Sequence, residues 1–499
     1  MIREISSNPP YILALDIGTS HARALLFDRW GNAVPSIEGR QPYQFTILPE
    51  GGIETDAEAL LERVLRCIDQ VLEQAGSLAG EITGVAACTF VSNIVGIDRS
   101  GTALTPLFPY SDTRPAADTR LLREQANEEL THQRVGCYFH SSYLPARFRW
   151  LNRTRPEIFQ KAWRWISLGE YLWFKLFGEA AVSYSVASWT GLLNRQHLAW
   201  DEELLDLLAV KSQQLSPLCD IDQPMQGLRR DFRTRWPALA NIPWFPAIGD
   251  GATANIGSGC TSAERVTISL GSTSAVRAVI RDEIAHIPKG LWCYRVDRQR
   301  ALLGGALTEG GNLFNWLKRL LKLENIPDLE AALLQTKPGG HGLTLLPLVA
   351  GERSPGWADD ASGAVTGLTL ATTPLDLLQA GLEGVICRVA QVYELLAQAL
   401  PSQPQVIASG GAAVHSPFML SRLADALGQP VYPSRVEEAS ARGAALLALE
   451  ALGMIQDAGK MFLPAGEAYL PDAERHRHFG KLIGLQKELY EKIINPGFI

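Results

Sequence analysis

Short apolar runs that end in glycine-rich turns recur along the chain, a pattern typical of buried β-strands followed by ligand-facing loops. The first run covers residues 11–15, and Asp16-Ile-Gly-Thr-Ser20 and a second run at 24–27 follow it. The pattern returns at 266–270, where Gly-Ser-Thr follows. Both stretches predict a β-hairpin whose turn carries a glycine and hydroxyl side chains.

Apolar residues at helical spacing predict two helices, over residues 57–72 and 375–396. Continuous apolar runs predict further buried strands at 82–88, 242–248 and 406–409. Strands that alternate with helices in this way indicate an α/β protein. Residues 15–20 and 268–273 align as two copies of one motif, which predicts two domains built on the same plan.

Amino-acid composition and net charge disfavour several classes of protein. The chain has 499 residues with 46% hydrophobic and 20% charged residues, which is ordinary for a folded globular protein. Its net charge of -7 disfavours a nucleic-acid-binding protein. No apolar run approaches the roughly 20 residues of a membrane span, and the polar start lacks a signal core. The seven cysteines are scattered and never spaced as C-x-x-C, which predicts a reduced, cytoplasmic protein.

One acidic residue stands at a strand-to-helix turn. Gly249 ends the predicted strand, Asp250 follows, and small residues then open a predicted helix. A carboxylate in this position can act as a general base that activates a hydroxyl group. It can equally be a helix N-cap, because Asp is among the preferred capping residues. The residues alone leave both interpretations open.

The first hairpin turn has the same ambiguity. Gly18 allows close approach of an anion, Thr19 and Ser20 offer donors to phosphate oxygens, and Asp16 can hold Mg²⁺. An ordinary hairpin turn uses the same residue types. Glycines at 304–311 and 409–411 suggest turns that lie against a ligand. A basic run (Arg147, Arg149, Arg153 and Arg155) predicts a solvated helix face.

Taken in order, these motifs resemble those of the FGGY carbohydrate kinases, which belong to the actin-like, ribonuclease-H-like ATPase superfamily. The resemblance rests on Asp16-Ile-Gly-Thr-Ser20, Gly249-Asp250-Gly251, Leu270-Gly-Ser-Thr-Ser274, Gly310-Gly-Asn-Leu-Phe-Asn-Trp316 and Ser409-Gly-Gly-Ala412. A further family signature is similar to residues 363–368 and 376–383. Each motif is weak alone, but five in this order are specific, and they cover essentially the whole chain.

The resemblance implies an α/β fold with two ribonuclease-H-like (actin-like ATPase) domains and a cleft between them. Residues 1–246 would form the N-terminal domain, with the sugar site and the first phosphate loop. Residues 247–499 would form the C-terminal, nucleotide-binding domain, and the last helix is expected to pack back on the first domain.

The resemblance also implies roles for individual residues. Asp250 would be the base that takes the proton of the sugar hydroxyl, and Asp16 would position Mg²⁺. The remaining assignments place ATP against Gly18, Thr19, Ser20 and Arg23 of the first domain, Gly271, Ser272 and Thr273 of the second, and Gly311, Asn315, Gly410, Gly411 and Ala412 around the adenosine.

Ser92, Asn93 and Asp112 are expected to bind the sugar together with Asp250. Residues 136–147 and 165–171 look most like those of gluconate kinases, so gluconate is the first expectation for the acceptor. Many gluconate kinases carry His where this chain has Ser92, which keeps a pentulose such as xylulose or ribulose open.

A catalytically silent sugar- or ATP-binding protein, or a chaperone-like protein, is the alternative from another class, because one fold supports all three. A small-molecule sugar or sugar acid is the expected partner, without nucleic acid or membrane. A homodimer is one possible assembly.

Overall fold

Two sheets of similar design form the two halves of the protein. The computed structural model describes residues 8–281, 284–326, 328–461 and 465–494. The first sheet contains β1 (Tyr11–Ile17), β2 (His21–Phe27), β3 (Ala33–Pro42), β4 (Ile82–Thr89) and β5 (Ile248–Gly249), in the order β5-β4-β1-β2-β3. The first three strands are antiparallel neighbours, whereas β4 runs parallel to β1 and β5 parallel to β4.

The second sheet repeats this plan. It contains β6 (Arg265–Leu270), β7 (Ser274–Ile280), β8 (Trp292–Arg295), β9 (Ala301–Leu307), β10 (Gln405–Ser409) and β11 (Val431–Pro433), in the order β8-β9-β7-β6-β10-β11. With β8 set aside, strand order and directions match those of the first sheet. The predicted fold of two ribonuclease-H-like domains is therefore confirmed, and both predicted hairpins form.

Helices and small two-stranded sheets surround these two sheets. The helices of the first half are α1 (Ala57–Ala75), α2 (Ala116–Gln125), α3 (Glu128–Val135), α4 (Leu144–Thr154), α5 (Pro156–Lys161), α6 (Leu168–Phe177), α7 (Tyr184–Ser188), α8 (Glu202–Leu207), α9 (Arg230–Arg235) and α10 (Asp250–Gly257). Those of the second half are α11 (Gly311–Leu320), α12 (Leu329–Leu334), α13 (Pro374–Gln398), α14 (Gly411–Val414), α15 (Pro417–Leu427), α16 (Ala439–Ala451) and α17 (Ala473–Ile493).

The small sheets pair Thr46–Ile47 with Ile53–Glu54, Val95–Ile97 with Arg164–Ile166, Val182–Ser183 with Leu218–Cys219, Leu193–Asn194 with Ala199–Trp200, and Thr344–Leu346 with Ala364–Thr366. The 3₁₀ helices are Gly76–Glu81, Ser212–Gln214, Pro237–Leu239, Leu323–Asn325 and Ala458–Lys460.

The two long helices predicted from periodicity are present, and local sequence explains where each begins. Asp56 caps α1 by accepting a hydrogen bond from the amide of Ala59. Thr373 and Asp376 form a reciprocal capping box at the start of α13, with Pro374 in the first turn. The apolar face of α1 packs on β2 and β3, and α13 packs on β7 and β9.

A close helix pair joins the two halves. Helix α10 packs along α16, and α16 also lies on β1 and β4 of the first sheet. Glycine makes this approach possible, because a Cβ atom at Gly257 would lie 1.8 Å from the carbonyl oxygen of Ala439. At Gly443 it would lie 1.9 Å from that of Thr253. The helix that carries Asp250 is therefore fixed against an element from the far end of the chain.

The structure corrects two expectations about domain organisation. Strand β5 pairs with β4, so the first sheet extends past the predicted boundary at residue 246. The last helix, α17, packs on α13, α15 and the strand Thr344–Leu346, all in the second half. Its buried Phe479 belongs to the core of that half, which is the physical reason for the correction. The helix that packs back on the first sheet is α16.

Two further interpretations also change. Within the apolar run 242–248, the strand is confined to Ile248–Gly249, and Trp244 forms an isolated bridge to Val85. Arg147 does not lie on a solvated helix face but is fully buried. Its guanidinium donates to the carbonyl oxygens of Ser92 and Pro109, so it ties these loops together.

All seven cysteines are buried thiols without a disulfide. Within the described residues, no helix is both long enough and apolar enough to cross a lipid bilayer.

Candidate active site

Asp250 lies at the junction of the two halves. It is the first residue of α10, directly after β5, and Gly249 rather than Asp250 occupies the N-cap position. The Asp250 carboxylate accepts a hydrogen bond of 2.7 Å from the amide of Gly251. Asp16 of the first sheet and Arg277 of the second both influence its pKa. The N-cap interpretation is therefore not supported, and Asp250 faces charged groups from both sheets.

The glycines on either side of Asp250 make room for an indole ring. A Cβ atom at Gly249 would lie 2.7 Å from Nε1 of Trp189, and one at Gly251 would lie 3.1 Å from Cη2 of the same ring. Trp189 stacks on Tyr294 of β8 with ring centroids 3.7 Å apart. Its buried indole N–H has no partner among the described residues. An unpaired donor beside a carboxylate can bind a hydroxyl group of a ligand.

The electrostatic surroundings of Asp250 suit a base. Burial raises its pKa to about 6, because a charged carboxylate is disfavoured away from water. The positive charge of Arg277 and the amide of Gly251 lower the pKa, whereas the negative charge of Asp16 raises it. The carboxylate is therefore ionised at neutral pH and has a higher proton affinity than an exposed aspartate.

The first hairpin presents Asp16 at the end of β1. Asp16 is buried and accepts from Arg23 at 2.5 Å and from the Cys88 thiol at 3.3 Å. Arg23 also pairs at 2.5 Å with Glu438, which precedes α16, so this guanidinium bridges the two halves. At the tip of the turn, Thr19 and Ser20 are exposed. The amide of the first turn residue, Gly18, donates to the carbonyl oxygen of His21 at 3.0 Å, and the Gly18 carbonyl accepts from the Tyr43 hydroxyl.

The second hairpin turn is joined to the start of α11. The carbonyl oxygens of Gly271 and Ser272 accept from the amides of Gly311 and Asn312 at 2.8 and 3.1 Å. The Gly271 amide donates to the carbonyl oxygen of Thr273, which closes the turn. The Gly271–Thr273 loop, predicted to contact phosphate, therefore lies directly beside the helix start that was expected to face the nucleotide.

A cavity of about 250 Å³ opens next to this turn. Two of the residues predicted to contact adenosine, Gly311 and Gly411, line this cavity, and their role in nucleotide binding stays a prediction. The remaining lining residues are Leu270, Gly310, Phe314, Glu330, Leu333, Leu382, His415, Ser416, Phe418 and Met419.

Two other predicted nucleotide contacts, Asn315 and Gly410, lie near this cavity but are not among its described lining residues. Asn315 is exposed on α11 and is not among the lining residues. Ala412 belongs to α14, next to the lining residue Gly411. Gly410 adopts a left-handed φ of 87° and would place a Cβ atom 2.6 Å from the carbonyl oxygen of Leu270, so this turn requires glycine.

The three residues predicted to bind the sugar, apart from Asp250, are engaged inside the protein. The Ser92 hydroxyl donates to the carbonyl oxygen of Trp189 at 2.5 Å. The Asn93 amide donates to the carbonyl oxygen of Phe90, and its oxygen accepts from the amide of Leu168. Their position supports an indirect role, because Ser92 fixes the backbone of Trp189 beside Asp250.

Asp112 is also occupied. Its carboxylate is fully buried and accepts from Nε and Nη2 of Arg114, at 2.9 and 2.7 Å. The geometry therefore does not support direct contact between Asp112 and a ligand. Tyr110, two residues earlier, is close enough to Asp250 for the carboxylate charge to raise its pKa.

Four residues of the region around Asp250 were not assigned to the site from the sequence: Trp189, Tyr110, Arg277 and Arg353. Arg277 lies on β7, and its Cζ atom is 3.3 Å from the Cβ position of Gly251. Arg353 packs over the ring of Tyr110 at 5.8 Å. The glycines flanking Asp250 were a sequence signal for a neighbour such as Trp189, because glycine can mark a place where a large side chain packs directly against the backbone. No local pattern marks the two arginines.

The predicted metal role of Asp16 can be tested against its neighbours. The described residues contain no group of three or more His, Cys, Asp or Glu side chains arranged to hold a metal ion. Mg²⁺ commonly binds through one or two carboxylates together with substrate phosphates and water. A buried carboxylate beside the first hairpin turn fits that mode, with Mg²⁺ replacing the guanidinium of Arg23 on Asp16.

Two duplicated sheets, an ionised aspartate between them and a cavity beside the second hairpin define a kinase of the ribonuclease-H-like class with an alcohol group as acceptor. The family model for the N-terminal domain of the FGGY family of carbohydrate kinases matches residues 11–257. The model for the C-terminal domain of the same family matches residues 266–452. The chain belongs to the FGGY family of carbohydrate kinases, whose members use ATP as co-substrate.

Individual relatives carry different substrate names. The gluconokinase of Bacillus subtilis (strain 168) is 26% identical over 457 residues, which cover 89% of this chain and 88% of the relative. The xylulose kinase of Escherichia coli (strain K12) is 25% identical over 490 residues, which cover 97% and 99%.

Solved structures show the same fold. The xylulose kinase of Lactobacillus acidophilus superposes with a TM-score of 0.88 at 24% identity, covering 97% of this chain and 98% of the other. The gluconate kinase from the same organism gives a TM-score of 0.87, with the same identity and coverage.

Proposed function

We propose that this carbohydrate kinase transfers the γ-phosphoryl group of ATP to a hydroxyl group of gluconate, with Asp250 as the general base. The observation that carries the proposal is the position of Asp250, ionised at neutral pH and facing charged groups from both sheets. A sugar hydroxyl is a poor nucleophile, and removal of its proton by a placed carboxylate contributes about 10²–10⁴-fold to the rate.

ATP is proposed to span the second half of the site. Its adenosine would occupy the cavity between Gly311 and Gly411, and its phosphates would extend to the Gly271–Thr273 turn. Thr19 and Ser20 are exposed at the tip of the first hairpin, where they can donate to the terminal phosphate. Asp16 would hold Mg²⁺ together with these phosphates. The bound ion would neutralise charge on the phosphoryl group during transfer.

Three residues would hold the acceptor next to Asp250. The unpaired indole N–H of Trp189 can donate to a sugar hydroxyl, and the stacked rings of Trp189 and Tyr294 form a wall that excludes water. Tyr110, under the guanidinium of Arg353, also lies within range of the Asp250 charge. Exclusion of water matters because water would otherwise compete with the sugar as the acceptor.

Gluconate is favoured because gluconokinases are among the relatives and because Arg277 places positive charge near Asp250, with Arg353 over the neighbouring Tyr110 ring. Xylulose is the second candidate, supported by the xylulose kinase names among sequence relatives and solved structures of comparable similarity. The cytoplasmic location and the homodimer remain predictions.

An assay that couples ADP release to a detectable signal tests the proposal, with gluconate, xylulose, ribulose and no acceptor compared at saturating ATP and Mg²⁺. We expect gluconate to stimulate ADP release most strongly, with formation of a phosphogluconate detectable by mass spectrometry. Preferential stimulation by xylulose or ribulose would replace gluconate as the acceptor. ADP release at the same rate with and without each acceptor would support the chaperone-like alternative. Binding of a sugar without turnover would support the catalytically silent alternative.

A further inference from the structure

Two arginines from separate segments of the second half lie beside the base. Arg277 projects from β7, and its Cζ atom lies 3.3 Å from the Cβ position of Gly251, next to Asp250. Arg353 comes from the loop between the strands Thr344–Leu346 and Ala364–Thr366. Both cations lie along β9, because Arg277 pairs with Gly304 and Arg353 donates to the carbonyl oxygen of Leu307. Burial lowers the pKa of Arg277, and the positive charge of Arg353 lowers it further.

Neither guanidinium has a matching anion. Arg277 donates to the Ser269 hydroxyl at 3.2 Å, and Arg353 donates to the carbonyl oxygen of Leu307. Within the described residues neither forms an ion pair, and the Nε–H group of each is buried without a hydrogen-bond partner. Two partly buried cations side by side repel each other, and unpaired buried donors are costly. Two such cations with unpaired donors are the arrangement expected of a binding site for an anionic ligand.

The nearest acids do not neutralise the pair. Asp250 lies beside Arg277 but must accept a proton during the reaction, which would remove its charge. Glu309, near Arg353, is buried, and that burial raises its pKa to about 7, so it is only partly ionised at neutral pH. A carboxylate on the ligand would supply the missing charge throughout the reaction.

The backbone of Arg277 lies three residues into β7 from Ser274, which corresponds to about 10 Å along a strand. Both side chains reach back towards the Gly271–Thr273 turn, because Arg277 donates to Ser269 and Arg353 donates to Leu307, which pairs with Ser274. Contacts on the acceptor side favour a carboxylate as the ligand, because the Cζ atom of Arg277 is 3.3 Å from the Cβ position of Gly251. The ring partner of Arg353 is Tyr110, on the acceptor side of Asp250. Guanidinium groups bind carboxylates through paired, charge-assisted hydrogen bonds, so two of them can fix both oxygens of one carboxylate.

We propose that Arg277 and Arg353 bind the carboxylate of a sugar-acid acceptor and thereby make the enzyme select sugar acids over neutral polyols. This inference rests on the proposed function and assigns its specificity to two named residues. Both residues are binding residues in this assignment, whereas Asp250 performs the proton transfer.

The test compares gluconate with sorbitol, which carries a hydroxymethyl group in place of the carboxylate. Binding of each compound in the presence of ADP is measured by calorimetry, and turnover of each by ADP release. The wild-type enzyme should bind gluconate more tightly than sorbitol. Arg277→Met and Arg353→Met should each weaken gluconate binding by about 10- to 100-fold, the loss expected for hydrogen bonds to a charged group, and should change sorbitol binding much less.

Two further variants sharpen the comparison. Arg277→Lys keeps the charge but loses the forked geometry, so it should fall between wild type and Arg277→Met. Arg281→Met removes an exposed arginine that pairs with Asp457 on the surface, and should leave the gluconate-to-sorbitol ratio unchanged. ADP affinity of each variant confirms that it is folded.

The outcomes separate the two proposals. If the wild-type enzyme turns over a pentulose and ignores gluconate, the proposed function fails. If gluconate is a substrate but Arg277→Met weakens gluconate and sorbitol equally, the carboxylate assignment alone is overturned. Equal wild-type affinity for gluconate and sorbitol would also overturn it.

Discussion

The carboxylates of Asp16 and Asp250 come from different strand ends of the first sheet, yet they are close enough for the charge of Asp16 to raise the pKa of Asp250. Asp16 lies on β1 and Asp250 follows β5, and β4 separates these two strands. Arg23 holds Asp16 and also reaches Glu438, so the same group of charges joins the two halves. Protonation of Asp250 is therefore coupled to the groups that are proposed to hold the phosphates and Mg²⁺.

The first prediction concerns pH. Asp250 must be ionised to accept a proton, and its pKa is about 6, so kcat/KM for the acceptor should fall as the pH drops through 6. Asp16→Asn removes a negative neighbour, which favours the ionised form of Asp250 and should move this acid limb to lower pH. A pH profile of the residual activity measures the shift. Asp98→Asn, in an exposed turn, should leave the limb in place.

The second prediction concerns Asp250→Asn and activity. This variant keeps the side-chain shape and the acceptor for the Gly251 amide but cannot take a proton. We expect kcat to fall by about 10²–10⁴-fold while ADP affinity changes little. Steady-state kinetics and calorimetry measure both quantities. Turnover close to wild type would remove Asp250 from the mechanism.

The third prediction concerns the same variant and stability. The folded-state pKa of Asp250 is raised to about 6, above the value of about 3.9 for an unfolded chain. The ionised form therefore costs stability above pH 6, and this cost disappears as the pH falls below 4. Asp250→Asn should have a higher free energy of unfolding than wild type at pH 8, and the difference should shrink at pH 5. Urea unfolding at both pH values tests the sign, and a variant less stable at pH 8 would contradict it.

The fourth prediction concerns the glycine before the base. Gly249→Ala would place a methyl group 2.7 Å from the Trp189 ring, so either the ring or Asp250 must move. A displacement of about 1 Å at a reacting group can cost about 10²-fold in rate. We expect a loss of this order in kcat/KM for the acceptor. Gly480→Ala, in the exposed part of α17 with open space around it, is the matched control and should keep full activity.

The fifth prediction concerns the helix pair that joins the halves. Gly443→Ala would drive a Cβ atom against the backbone of Thr253, where no side-chain rotation relieves the contact. We expect destabilisation of about 1–3 kcal/mol, the usual cost of overpacking, measured by denaturant unfolding. Gly484→Ala, at an uncrowded position in α17, should instead stabilise the protein by up to about 1 kcal/mol.

Much of the fold was predictable because its signals are local. The strands around Asp16 and Ser269, the two hairpin turns, and helices α1 and α13 each follow from the apolar pattern and capping residues of one short segment. Strand β5 was overestimated, because the run 242–248 pairs through isolated bridges from Trp244 to Val85 and Met225 and not as a continuous strand, while aromatic packing contributes to its burial. Burial and strand formation produce the same apolar pattern in a short segment.

The site was only partly predictable. Asp16, Asp250 and the glycines of the cavity proposed for the nucleotide lie on motifs whose conformation depends on the local turn. Asp112 illustrates the limit, because a polar residue in a loop can equally be held by a neighbouring arginine, and here Arg114 holds it. Arg147 was expected on a solvated face, but backbone carbonyl groups from distant loops accept from its two terminal nitrogens and allow its burial.

The sequence by itself determined two duplicated hairpin domains and an aspartate at a strand-to-helix turn, because backbone conformation and apolar alternation are decided within a few neighbouring residues. The tertiary structure decided which side chains surround that aspartate. Trp189, Arg277 and Arg353 reach it from distant segments of both halves, and their orientation depends on how those halves pack through α10 and α16. The charge and shape of the acceptor site arise from that packing, which no single stretch of the chain encodes.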